Sequence, residues 1–275
     1  MTTSDTDRSA HDAWREVRLQ QVSGPAGNIA LVDYQRVGEA PEQVRGLPAT
    51  VHRVEGEQGV RVRALGELEL VTADGAQAVA GEAFVPRLGA DGLPLLRAGG
   101  ITVDVFSLDG TGYELRIYDA HAPALADFEG IETAQYDPAW LVPAVFEAHE
   151  SVQQVPWGFT RESDTGHTKA VPGTVHAEIG GTPYAFSVFA DGPALVLVFA
   201  DATTGVDSYA PGRFLRLDPV ASGERLTLDF NRAIVPPCGF SDFYSCPIPP
   251  AENRVGVAVR AGELRARWRA GSSRH

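Results

Sequence analysis

Lysine is almost missing: Lys169 is the only one among 275 residues, set in the turn-rich stretch "SDTGHTKAVPG". Schiff-base chemistry therefore has one candidate, in a poor setting. Cations are scarce overall, with 23 Lys and Arg against 36 Asp and Glu and a net charge of −13. Nucleic acids and anionic membranes are held by clustered cations that displace counterions, so neither is an expected partner. Long apolar runs are lacking too. No stretch approaches the ~18 residues of a spanning helix. The polar opening "MTTSDTDRSAHDAWREV" has no apolar segment of the secretory kind. The expected address is cytoplasmic.

Cysteine is limited to Cys238 and Cys246, and the seven histidines are scattered without an HxH or HxxxH pair. Zinc sites gather four Cys or His ligands at short spacings, so no metal is expected. Neither a Gly-x-x-x-x-Gly-Lys-Ser/Thr phosphate loop nor a Gly-x-Ser-x-Gly elbow occurs.

Short extended segments are what the chain does contain. "GVRVRALGELEL" alternates apolar and charged residues, and "ITVDVFSL", "YELRIY", "TVHAEI", "YAFSVF", "LVLVF", "RFLRL", "RLTLDF" and "RVGVAVR" also read as strands. Gly-rich turns such as "GADG" at 89–92 and "LDGTG" at 108–112 separate them. "LVLVF" (Leu195 to Phe199) does not alternate, which predicts a central strand covered on both faces. One short helix is expected over "HDAWREVRLQQV", with Trp14, Val17, Leu19 and Val22 on its apolar side. The fold class is mainly β: antiparallel strands in a barrel- or sandwich-like architecture with a short N-terminal helix. The expected organisation is a disordered tail at 1–9, a helix and β part at 10–135, a connector at 136–171, and a C-terminal β part at 172–269. Within the connector, residues 138–149 read as a short helix or a bent strand, interrupted by Pro138 and Pro143.

"FADATTGVDSYAPGRFLRL" and "LDFNRAIVPPCGFSDFYSCPIPPAENRVGVAVRAGE" together resemble the bacterial domain-of-unknown-function family numbered sixteen eighty-four. Its Asp-x-Thr-Ser/Thr-Gly turn is matched by Asp201, Thr203, Thr204 and Gly205, and its Tyr followed by Gly-Arg by Tyr209, Gly212 and Arg213. Asp229 to Asn231, Pro236 to Cys238, Cys246 to Pro250, and Gly262 with Glu263 match the later motifs. Ile234 departs from the pattern, where members tend to carry Tyr. The resemblance implies a folded unit and the place of a site. It implies no reaction, cofactor or partner.

Two stretches concentrate polar chemistry. Asn231 to Asn253 runs over twenty residues without a convincing strand or helix. Such loops in compact domains are functional or disordered. Pro236, Pro237, Pro247, Pro249 and Pro250 argue for rigidity, and Phe240, Phe243 and Tyr244 can pin the loop down. Both cysteines lie inside it and are expected near each other as thiols; a disulfide there would stabilise the fold by roughly 2.5 kcal/mol on the chain-entropy model. Cys238 is a weaker candidate for a nucleophile, since that role needs a neighbouring base. The second stretch links "LVLVF" to "RFLRL", far longer than the usual hairpin connection of roughly two to five residues. Asp201 and Thr204 suit a tight turn there, and Arg213 can pair bidentately with a carboxylate.

If "RFLRL" and "RLTLDF" pair directly through "DPVASGE", Arg213 meets Asp229. Asp229 and Asn231 would share one face of an extended chain, with Phe230 opposite. The candidate ligand-binding residues are thus Asp201, Thr204, Tyr209, Arg213, Asp229, Asn231, Cys238, Cys246 and Asn253, with no catalytic residue assigned. They point to a small polar molecule held in a pocket under the Pro/Cys loop. The alternative is a structural or interaction module in which the same residues only brace the loops.

Overall fold

The computed structural model describes residues 3–89, 92–107, 112–161 and 167–271. Most of the turns expected at 89–92 and 108–112 lie outside these residues, as does the start of the Lys169 loop. Strands hold 47% of the chain against 14% helix, so the fold is mainly β, and the pairing among the described strands is antiparallel. The chain forms two compact units: Gln20–Asp127, and the residues up to Leu19 together with those from Phe128 onward.

The Gln20–Asp127 unit carries β1 (Leu31–Arg36), β2 (Glu42–Gln43), β3 (Ala49–His52), β4 (Gly59–Ala64), β5 (Glu69–Thr72), β6 (Gly75–Ala78), β7 (Glu82–Pro86), β8 (Leu95–Ala98), β9 (Ile101–Phe106) and β10 (Glu114–Asp119). One sheet has the order β1-β10-β9-β8-β5-β6, the other β2-β3-β4-β7. Alternation in β4 buries Val60 and Val62 and leaves Arg61 and Arg63 outward, as its sequence pattern requires. Val51, Val60, Val62 and Val85 of the second sheet share one core with Leu96, Val103, Val105 and Leu115 of the first.

The other unit carries β11 (Phe128–Thr133), β12 (Leu141–Pro156), β13 (Thr168–Ile179), β14 (Thr182–Asp191), β15 (Ala194–Phe199), β16 (Arg213–Leu217), β17 (Arg225–Asp229) and β18 (Glu263–Trp268). Six form a sheet in the order β16-β15-β14-β13-β12-β17, and β11 pairs with β18. β15 is buried along "LVLVF". Leu195, Leu197 and Phe199 enter the main core, while Val196 and Val198 pack with Trp157, Val171 and Phe189 on the other side. Two apolar faces explain why the strand lacks alternation.

Several expectations are corrected. The expected connector is not a connector: residues 141–156 form the long strand β12, between β13 and β17. Pro143 is tolerated because the β13 register begins one residue later, at Ala144. The helix α1 (Thr3–Ser23) reaches into the expected disordered tail, and its buried face is His11, Arg18 and Val22. Val17 and Leu19 are exposed. "RVGVAVR" is not a strand, because its backbone is engaged elsewhere: Val255 N–H donates to Ala200 O, and Val259 O accepts from Arg213.

β16 and β17 do not pair directly. β17 pairs with β12 (Leu228 opposite Val142) and β16 with β15 (Leu215 opposite Leu197). The "DPVASGE" link is instead tied to β12, with Gly223 N–H donating to Phe146 O at 2.7 Å. The free edge of β16 is met by Ile234, which exchanges two backbone hydrogen bonds with Phe214.

Candidate functional site

Arg213 begins β16 and is fully buried. Its partner is Asp201 rather than Asp229: Nη2 donates to Asp201 Oδ2 at 2.5 Å and to Val259 O at 2.8 Å. Nη1 donates to Ala261 O at 2.6 Å and Glu263 O at 3.1 Å, and Nε has no partner among the described residues. Burial pulls the guanidinium below its ordinary pKa, and the adjacent Asp201 carboxylate opposes that pull. The guanidinium thus satisfies backbone carbonyls of the irregular segment that leads into β18.

Asp201 is held from the other side by its own turn. Oδ1 accepts from Thr203 N–H at 2.6 Å and Thr203 Oγ1 at 2.5 Å, and Thr203 Oγ1 meets Ser208 Oγ at 2.8 Å. Thr204 Oγ1 accepts from Asp201 N–H at 2.9 Å. An Asx-type turn with Gly205 at φ +80° therefore presents the carboxylate inward.

Asn231 and Asn253 are the two ends of the Pro/Cys loop, and both are buried. Asn231 Oδ1 accepts from Asp137 N–H at 2.9 Å while Nδ2 donates to Asp137 O at 3.0 Å. Asn253 does the same to Ser187, at 2.9 and 2.8 Å, and Nδ2 also donates to Val198 O. Each amide side chain imitates a peptide group and completes a ladder that its own backbone does not reach. Asp229 does not share a face with Asn231 across an extended chain. It ends β17 and caps a short 3₁₀ turn, Phe230–Arg232, accepting from Asn231 N–H at 3.1 Å and pairing with Arg232 at 3.4 Å. The strand stops there because Phe230 turns wholly into the core.

The cysteines come together. Cys238 N–H donates to Cys246 Sγ at 3.3 Å, and both thiols are free and buried. Hydrogen bonds from Cys246, Tyr209 and Thr160 bring the Cys238 thiol below its ordinary pKa, with burial opposing them. Cys246 is itself stitched to Thr160, N–H to Oγ1 at 2.9 Å and O to Thr160 N–H at 2.9 Å.

Charged residues outside the expected set complete the arrangement. Glu263 is buried; its Oε1 accepts from Arg18 Nε at 3.0 Å and its Oε2 from Val235 N–H at 2.8 Å. Burial raises its pKa, with Arg18 opposing. His11 Nε2 donates to Asn231 O at 3.0 Å. Because Arg213 Nη1 also holds Glu263 O, the buried chain of contacts runs Arg18, Glu263, Arg213, Asp201, Thr203, Ser208. Gly-Glu at 262–263 was the one sequence signal for Glu263; nothing local marks His11 or Arg18 as buried.

The nine expected residues therefore fall into separate sets: Asp201 with Thr204 and Arg213, Asp229 with Asn231, Asn253 alone, and Tyr209 with Cys238 and Cys246. Among the clefts that open on the described residues of this unit, three measure about 490, 420 and 350 Å³, and of the nine residues Asp229 lines the last of these three. No group of three or more His, Cys, Asp or Glu among the described residues is placed to hold a metal ion. No helix among them is long and apolar enough to cross a membrane.

No curated protein matches the chain. The solution NMR structure of an uncharacterized protein of Haloarcula marismortui is similar over 50% of this chain and 77% of that one, at 33% identity and a TM-score of 0.43. Residues 126–264, which hold both long loops, the cysteines and Glu263, match the profile described as "Protein of unknown function (DUF1684)", and the chain belongs to that family.

Proposed function

We propose that the unit formed from Phe128 onward is a structural or interaction module whose polar cluster braces its two long loops. One observation carries this reading: Asp201, Asn231 and Asn253 are buried with their side-chain oxygens and amides turned onto protein partners. A ligand would have to displace hydrogen bonds whose loss leaves buried backbone groups unpaired, which is costly. A catalytic carboxylate must also reach its substrate, and Asp201 does not reach solvent. Whatever the module binds meets the outer surface that the braced loops form. The acidity of the whole chain favours partners other than nucleic acid, and a cytoplasmic setting suits thiols that are not in a disulfide.

A second reading, a small molecule taken under the Pro/Cys loop, is favoured at one corner only. There Cys238 lies against Cys246 and the hydroxyls of Tyr209 and Thr160. Thermal unfolding and native mass spectrometry test the two readings together. The brace predicts that Asn231→Ala loses several degrees and that the purified chain carries no retained molecule. Unchanged melting in that variant, with a retained molecule in the parent, would reverse the conclusion in favour of the pocket.

A further inference from the structure

The bracing network described above runs through Asp201, Arg213, Asn231, Asn253 and Glu263, while Cys238 and Cys246 sit against each other inside the Pro/Cys loop. Their surroundings are built for sulfur chemistry. Thr160 Oγ1 already accepts from Cys246 N–H, so its own hydrogen is free to be donated. Tyr209 is fixed through its backbone, N–H to Leu264 O at 2.8 Å, and reaches the same sulfur with its hydroxyl. Cys246 N–H donates to Thr160 Oγ1, and its sulfur accepts from the Cys238 backbone N–H at 3.3 Å. Prolines on both sides, Pro236 and Pro237 before Cys238 and Pro247 after Cys246, restrict how far the two can separate. Tyr209 and Thr160, which bond the pair, are half-buried, and the cysteines themselves are 7% and 4% exposed.

We propose that Cys238 and Cys246 form a thiol–disulfide exchange site that takes a small-molecule disulfide as its substrate, with Cys238 attacking and Cys246 resolving. This deepens the second reading above, naming the ligand class for that corner, and is independent of the brace. The Cys238 thiolate attacks one sulfur of the disulfide RSSR, forming a mixed disulfide and expelling RS⁻. The Cys246 thiolate then attacks Cys238 Sγ, closing the protein disulfide and expelling the second RS⁻. The two thiol protons pass to the leaving thiolates, so RSSR is reduced to two RSH while the cysteine pair is oxidised. Hydrogen bonds to the Cys238 sulfur from Tyr209, Thr160 and Cys246 favour the attacking thiolate. Among the described residues, the titratable groups that hydrogen-bond it are Cys246 and Tyr209.

The full chain is equilibrated with mixtures of oxidised and reduced glutathione, quenched with an alkylating reagent and weighed by intact-mass spectrometry. The expected result is a chain that loses both reactive thiols together and gains one internal disulfide. Cys246→Ser should stop at a single glutathione adduct on Cys238, and Cys238→Ser should leave Cys246 unmodified over the same time. Tyr209→Phe should slow adduct formation on Cys238 several-fold at neutral pH, and an unchanged rate would remove Tyr209 from the site. Both thiols remaining alkylatable in the parent chain at every glutathione ratio would overturn the exchange, and this result needs no variant to fold. A molecule retained in native mass spectrometry beside such inert thiols would sustain the pocket while sinking the exchange.

Discussion

Arg213 is the residue on which most of the brace converges. It joins the Asp201 turn to three backbone carbonyls of the segment 259–263, which leads into β18. Removing the guanidinium strands a buried carboxylate, so Arg213→Met should cost about 3–5 kcal/mol in urea unfolding. A loss below about 1 kcal/mol, the level of an exposed pair, would contradict the brace. Asn253 gives a second, uncharged test. Asn253→Ala unpairs the N–H and C=O of Ser187 and the carbonyl of Val198, which should cost about 2–4 kcal/mol. Melting should fall by about 5–10 °C for a unit of this size. Ser187→Ala is the control: its hydroxyl bonds Glu252 at an exposed position, and melting should hardly move.

Two motif glycines set how the elements deliver these side chains. Gly212 precedes Arg213 at φ +110°, and Gly262 precedes Glu263 at φ +70°. A Cβ on Gly212 would lie 2.6 Å from Pro249 Cγ, and one on Gly262 2.6 Å from Ala233 O. Each glycine lets the chain turn and aim a charged residue into the interior in a single step. Gly262→Ala should therefore destabilise by roughly 1–3 kcal/mol, through both the positive φ and the close backbone. Chemical denaturation checks it, and Gly205→Ala separates the two causes. At φ +80° with nothing near its added Cβ, that change should carry the conformational part alone.

At the scale of the whole molecule, the chain enters the unit of the family motifs from a distance. Arg18 on α1 neutralises Glu263, and His11 meets Asn231 O. A fragment beginning at residue 126 keeps all the motifs yet leaves Glu263 buried without its cation. It should be less stable by about 3–5 kcal/mol than the intact unit, and a peptide of residues 3–19 added in trans should restore part of the loss. Unfolding of the fragment with and without the peptide measures this.

The Gln20–Asp127 unit has its own buried carboxylate. Asp104 accepts from Tyr118 Oη at 2.9 Å on Oδ2, while Oδ1 has no partner among the described residues. Burial raises its pKa, with Arg116 opposing. The unfolded chain then releases this proton before the folded one does. Asp104 therefore contributes its stability below the ordinary carboxylate pKa and loses it as pH climbs through the raised value. The difference in unfolding free energy between the parent and Asp104→Asn should shift in favour of the variant between acid and neutral pH. A difference independent of pH would contradict the burial effect.

Much was legible from the chain alone because it rests on local rules. Alternation placed Val60 and Val62 inside, the unbroken "LVLVF" marked a strand covered twice, and the prolines around Cys238 and Cys246 marked a rigid loop that brings two thiols together. Arg213 finding Asp201 could not be read the same way. The expectation of Asp229 assumed that neighbours in sequence become neighbours in the sheet, whereas β17 found its partner in β12, far earlier in the chain. Register between distant strands is decided by which faces both can bury, and no single strand carries that information. The helix shows the same division. Its period was plain, but its buried side is His11 and Arg18 because Asn231 O and Glu263 wait for them, and a charged residue goes inside only where the rest of the fold supplies its counter-charge.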